Sequence, residues 1–120
     1  MVIVAGAVGQ NFYAGDWIPM TPAELHKKME RGDNFVLIDT RTQRELKKRG
    51  VIPGAVHIPI DDLRDRISEL DPEKETILCC GVGLRAYVGN RLLAMKGFKD
   101  VKTLTGGINS WTYPKERYPI

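Results

Sequence analysis

Cysteine is nearly absent from this chain: there are two, and they are neighbours, Cys79 and Cys80. Adjacent cysteines strain the peptide between them if they pair, and they cannot staple distant segments. A secreted disulfide scaffold is therefore excluded, and a reducing compartment is expected. Histidine is as sparse, with only His26 and His57, and neither lies at ligand spacing from the cysteines, so no metal is implied. A dominant sign of charge is missing too. Eighteen Lys and Arg stand against fifteen Asp and Glu, for a formal charge of +3, and the two signs interleave along the chain. No basic stripe marks a nucleic-acid partner. Long apolar runs are also lacking. The apolar opening from Met1 to Gly9 has no basic residue ahead of it and is far shorter than the roughly 20 residues that span a bilayer. It reads as neither signal peptide nor membrane span, and the expected location is the cytoplasm. Gly6 and Gly9 lack the strand–turn–helix setting and the third glycine of a dinucleotide site, so no cofactor is expected on this chain itself.

What is present describes one ordinary domain: 120 residues, 42% of them apolar and 28% charged, enough to bury a core without staples. Thr21-Pro22-Ala23-Glu24 has the form of a capping box with proline at the first helical position, predicting a helix to about Arg31 that Gly32 ends. Phe35 to Ile38 is a continuous apolar run ending at Asp39, as in a strand buried on both faces. Thr42, with Glu45 three residues on, predicts a short helix through Lys48. A brief strand is expected at Val56-His57-Ile58, and Pro59 then breaks it. A charged helix is predicted from Asp61 to about Leu70, and Thr76 to Cys79 is the second strongly buried strand. A helix opening at about Leu84 should run to Lys96 and stop at Gly97. Val101 to Leu104 is a last strand, and Gly106-Gly107 leads into a final helix around Ile108 to Trp111. Alternating strands and helices of this size predict an α/β fold, a mostly parallel sheet with helices on both faces.

In such a sheet, chemistry gathers where strands end and helices begin. Two strand ends carry reactive side chains, Asp39 and Cys80. Cys80 follows a buried strand and enters Gly81-Val82-Gly83-Leu84-Arg85. Two glycines let the loop curl with successive N–H groups pointing inward, and the following helix adds the positive end of its dipole. An anionic, nucleophilic sulfur is expected at the centre, with Arg85 supplying a cation or gripping an anionic substrate. A cysteine at a strand end can equally be a small buried hydrophobe, and the glycine and arginine spacing is what argues against that here. Cys79 alternates with Cys80 and should point into the core on the other face.

The segment Cys80 to Arg85 resembles the Cys-x-x-Gly-x-Arg active-site loop of rhodanese-like domains. Three further stretches resemble that family in the same order: Asp39-Thr40-Arg41 with Glu45, Ile52-Pro53-Gly54-Ala55-Val56-His57-Ile58-Pro59, and Gly106-Gly107 with Trp111. Val51 stands where the family often has histidine, and His57 where it has asparagine. The resemblance covers about residues 17 to 113. It implies a three-layer rhodanese-like sandwich around a five-stranded sheet, and sulfur transfer through a Cys80 persulfide. Gly81, Val82, Gly83 and Leu84 would form the substrate cradle, and Arg85 would orient an anionic donor. Asp39 and Arg41 would brace the loop rather than touch substrate. The implied partners are a small donor such as thiosulfate or a persulfide, and a thiol acceptor. Cys80 to Tyr87 further resembles the loop of rhodanese domains fused behind flavin-dependent coenzyme A-disulfide reductases. The arm of residues 1–16 is similar to the end of such a reductase, with the rhodanese-like domain following at 17–120. On this reading a flavin or nicotinamide belongs to a reductase partner in a longer chain.

Two other readings share the fold. Counted from Cys79, the spacing to Arg85 is Cys-x5-Arg, the length of a phosphatase or arsenate reductase loop. Counted from Cys80 it is Cys-x4-Arg, the sulfurtransferase length, and only that count puts glycine at the family position, Gly83. A regulatory module without turnover is the second alternative, against which stands retention of both Cys80 and Arg85.

Overall fold

A computed structural model of the chain describes residues 18–118, so the expected N-terminal arm of residues 1–16 lies outside the described residues. The elements in chain order are β1 (Pro19–Met20), α1 (Pro22–Arg31), β2 (Val36–Asp39), α2 (Gln43–Arg49), β3 (Val56–His57) and α3 (Ile60–Leu63), which continues as a 3-10 helix over Arg64–Glu69. They are followed by β4 (Thr76–Cys79), α4 (Leu84–Met95), β5 (Val101–Leu104) and a 3-10 turn over Gly107–Ser110. The strands form one sheet in the order β1-β5-β4-β2-β3, and every pairing between them is parallel.

Both expected capping boxes are formed. Glu24 N–H donates to Thr21 Oγ1 at 3.1 Å while Thr21 N–H donates to Glu24 Oε1 at 2.8 Å. Thr42 and Glu45 repeat the exchange at 3.3 and 2.9 Å. Each exchange satisfies donors that a helix start would leave orphaned.

Three elements differ from the sequence expectation. The helix expected over Asp61–Leu70 is α-helical only to Leu63. No residue from Arg64 to Glu69 is fully buried, so too little apolar surface holds a longer α-helix, and the tighter 3-10 form takes over. The last helix is a single 3-10 turn, Gly107–Ser110, because the chain turns extended at Trp111, whose ring is buried. The edge strand β1 was not anticipated. Two residues carry no period, and Pro19 is tolerated there because an edge strand has a side that needs no donor.

Side-chain alternation along the strands divides the core in two. Leu37, Ile77, Cys79 and Leu104 pack with Leu25, Ile108 and Trp111 on one face. Ile38, Leu78 and Cys80 pack with Ile58, Leu63, Ala86 and Leu93 on the other. Each fully buried Leu or Ile contributes about 1.5–3 kcal/mol over leaving it exposed, so both faces of the sheet are held firmly. Consecutive residues of β4 cannot share a face. That is why the two neighbouring cysteines end in different cores.

Candidate active site

Four residues, Cys80 to Gly83, cross from the end of β4 to the start of α4. The Cys80 sulfur accepts the Gly83 N–H at 3.0 Å and the Ala86 N–H at 3.4 Å. Ala86 lies in the first turn of α4, where amides have no intrahelical acceptor, so Sγ occupies the place of a helix cap at the positive end of the dipole. Gly83 reaches this geometry with φ at +112°, a conformation that side chains other than hydrogen rarely tolerate.

The carbonyls of the same segment are turned the other way. Cys79 O accepts from Thr40 N–H and Oγ1, both at 2.9 Å, Cys80 O accepts from Ile108 N–H at 2.7 Å, and Gly81 O accepts from Asn109 N–H at 3.0 Å. In a trans peptide the N–H points opposite to the preceding C=O. Pinning the carbonyls of Cys80 and Gly81 to the Gly107–Ser110 turn therefore directs the amides of Gly81 and Val82 away from that turn. Gly107 sits so close that a Cβ there would collide with Cys80 O and with the Gly81 backbone. Gly107 is thus the clamp on the loop.

Cys80 is only 1% exposed, with hydrocarbon of Ile38, Ile58 and Leu78 in its cluster and amides above its sulfur. Access is therefore narrow. Cys79 is fully buried in the opposite core, and burial, reinforced by the nearby Asp39 charge, pushes its thiol well above the usual range.

Arg85 does not spend its fork on the sulfur. Its Nη1 and Nη2 donate to Glu45 Oε1 and Oε2 at 2.6 and 2.7 Å. These bonds hold the Glu45 carboxyl at about 2, against burial, which raises it, and with help from the Thr42 amide. Glu45 thus caps α2 and orients Arg85 at once. The sequence marked Glu45 only as a cap and as part of the Asp-x-Arg motif, because nothing local reports a partner forty residues away.

Asp39 and Arg41 form an ion pair, at 1% exposure each, with Nε to Oδ1 at 3.0 Å and Nη2 to Oδ2 at 2.7 Å. Arg41 Nη2 also donates to Gly50 O at 2.8 Å. The pair thereby ties the end of β2 to the end of α2, the helix that carries Glu45. His57 is half-buried, and its Nε2 lies 2.7 Å from Arg41 O. Val51, at 5% exposure, bridges to Glu116.

Two cavities flank the loop. One, of about 300 Å³, is walled mainly by Val82, Leu84, Tyr87, Leu104 and Gly106. The other, of about 200 Å³, is walled by Arg41, Glu45, Arg49, Gly81, Arg85 and Asn109. Arg49 and Asn109 were not anticipated as neighbours of the loop. The loop's own residues carry no cation besides Arg85, but α2 delivers Arg49 from outside it. Among the described residues no group of three His, Cys, Asp or Glu is placed to hold a metal, and no helix is long and apolar enough to cross a membrane.

Comparison with known proteins agrees with this fold. The family model of the rhodanese-like domain matches residues 21–113. The chain belongs to the rhodanese-like domain family. Within that family it is similar to YtwF of Bacillus subtilis, which carries a sulfurtransferase name, with 35% identity over 99 residues covering 80% of this chain and 94% of that one. It is also similar to the reduced CoADR-RHD of Bacillus anthracis, with 36% identity and a TM-score of 0.80 over 88% of this chain. A NAD-dependent persulfide reductase from A. fulgidus matches at 31% identity and a TM-score of 0.70 over 89% of this chain. This rhodanese-like chain spans only 18% of each of those two solved chains. The expected likeness to the rhodanese domain of coenzyme A-disulfide reductases is borne out by the first of them.

Proposed function

We propose that this rhodanese-like domain is a sulfurtransferase or persulfide carrier whose nucleophile is Cys80. The Cys80 thiolate attacks the outer sulfur of a donor, R–S–S⁻ or thiosulfate. A new S–S bond forms to Cys80, and the old one breaks, the leaving thiolate or sulfite taking the electron pair. A nucleophilic acceptor, such as a thiol, then takes the outer sulfur and returns Cys80 to its starting state. The observation that carries this reading is the pair of amides, Gly83 N–H and Ala86 N–H, donating to Sγ. Fixed donors of this kind stabilise negative charge without reorganising during the step. Gly81, Val82, Gly83 and Leu84 line the path to the sulfur, and Arg85, held by Glu45, closes the loop. Asp39 and Arg41 act through α2, by fixing where Glu45 stands.

The narrow approach to Cys80 and the largely apolar cavity beside Val82 and Leu84 favour an organic persulfide, slender at its tip, over thiosulfate. The A. fulgidus persulfide reductase and the CoADR-RHD neighbour support a flavin-dependent reductase as partner, with the nicotinamide or flavin held there and not here. Phosphatase chemistry counted from Cys79 would need that thiol at the loop centre, and it is sealed in the opposite core.

The test is mass spectrometry after exposure to a small persulfide, comparing wild type with Cys80→Ser and Cys79→Ser. A gain of one sulfur is expected in wild type and Cys79→Ser and not in Cys80→Ser. Retention of the label without Cys80 would overturn the assignment. Thiosulfate as sole donor should charge Cys80 more slowly than the persulfide does.

A further inference from the structure

The two cavities beside the loop differ in charge. In the smaller one, two of the three arginines are already matched. Arg41 is paired with Asp39, and the Arg85 fork is filled by Glu45. Arg49 has no carboxylate partner among the described residues. Its Nη1 donates to Asn109 Oδ1 at 2.9 Å, a neutral acceptor, which leaves the rest of the guanidinium and its full charge available. The strut is close to the loop, since the amide of the same Asn109 pins Gly81 O. Arg41 lines the same cavity. Arg41, at 1% exposure, has its Nη1 buried with no hydrogen-bond partner among the described residues. Buried polar nitrogens are nearly always satisfied, so an acceptor from outside the chain, an ordered water or an anion, is expected at this one.

We propose that Arg49 recognises a carboxylate on the sulfur donor while the donor's outer sulfur is presented to Cys80. The inference rests on the sulfur-transfer reading above and narrows its substrate class to persulfides of small acidic thiols. Arg85 is poorly placed for this task, because an incoming anion would first have to displace Glu45 from a bidentate pair. Arg49 offers its charge without breaking anything. It is a specificity residue that touches the donor away from the bond being exchanged.

The experiment compares two donors of similar size, the persulfides of 3-mercaptopropionate and of 2-mercaptoethanol, one carrying a carboxylate and the other a hydroxyl. The readout is the ratio of their kcat/KM values for charging Cys80. In the wild type the acid should be favoured roughly five- to tenfold, the range expected of one charge-assisted contact in a partly open cavity. Raising the salt concentration should reduce that preference. Arg49→Gln should bring the ratio towards one, Arg49→Lys should restore part of it, and Arg49→Glu should reverse it. Equal rates for the two donors in the wild type would overturn the proposal, as would a ratio that survives Arg49→Gln. An equal loss on both donors in Arg49→Gln would show a structural task instead and also overturn it. If neither persulfide charges the wild type, the sulfur-transfer reading itself fails, an outcome distinct from all of these.

Discussion

At the scale of single residues, the site depends on which way three peptide groups face. The carbonyls of Cys79, Cys80 and Gly81 are each tied down by a donor from elsewhere in the fold, and the amide side of the loop is left to the sulfur. Two glycines make this possible for different reasons. Gly83 needs its positive φ, but a Cβ there would meet nothing nearer than 3.8 Å. Gly107 needs both its conformation, φ +58°, and its lack of a side chain. Gly83→Ala should therefore cost about 1–2 kcal/mol, the strain alone. Gly107→Ala should exceed about 3 kcal/mol, because strain and a backbone collision add. Thermal melts of the two variants measure the difference, and Gly107→Ala should also lose persulfide formation. Equal melting temperatures would mean that the loop moves aside freely, and the clamp described for Gly107 would not exist.

At the scale of elements, α2 does more than its seven residues suggest. Its capping residue Glu45 holds Arg85, its last residue Arg49 enters the charged cavity, and the carbonyl of Gly50 beyond it is bound by Arg41. The Glu45 carboxyl has an ordinary value of 4.5 and is lowered to about 2 in the folded protein, first of all by its bonds to Arg85. A lowered carboxylate means that the unfolded chain binds more protons as pH falls. The contribution is fully present above pH 4.5 and drains away as pH drops through that value towards 2. More than a third of each side chain is exposed to solvent, so screening limits the pair to about 1 kcal/mol. Glu45→Gln keeps a capping box, since glutamine serves at that position, and removes only the charge. Denaturant unfolding should find the variant less stable than wild type by that amount at pH 6, with the gap narrowing below pH 4.5 and closing only towards pH 2. A gap of constant size across that range would show that charge is not what Glu45 contributes.

At the scale of the whole molecule, the parallel order β1-β5-β4-β2-β3 puts β4 among the inner strands, with Cys80 at its carboxyl end. Its residues Thr76 to Cys79 are all buried, and it pairs with four-residue strands on both sides. The edge strands β1 and β3 are two residues each. Amide hydrogen exchange should follow this order. β4 and β2 should exchange only through global unfolding, and β1 and β3 through cheap local opening. Exchange at Leu78 and Cys79 as fast as at Met20 would contradict a site anchored on the rigid middle of the sheet.

What the sequence determined by itself is whatever depends on near neighbours. Capping boxes join residues three apart, strands show as apolar runs, and the alternation of Cys79 with Cys80 decides which core each enters, because the period of a strand is two. The loop was legible for the same reason, since cysteine, glycines and arginine lie within six consecutive residues. Tertiary structure alone decided the rest. Arg85 finds its carboxylate forty residues away, Arg49 finds Asn109 sixty residues away, and Gly107 meets Cys80 O across the end of the sheet. Such contacts carry no local signature, because the direction of a long charged side chain is chosen by whichever partner the packed core brings within reach. β1 was hidden likewise, as two residues become a strand only when β5 offers an edge to bind.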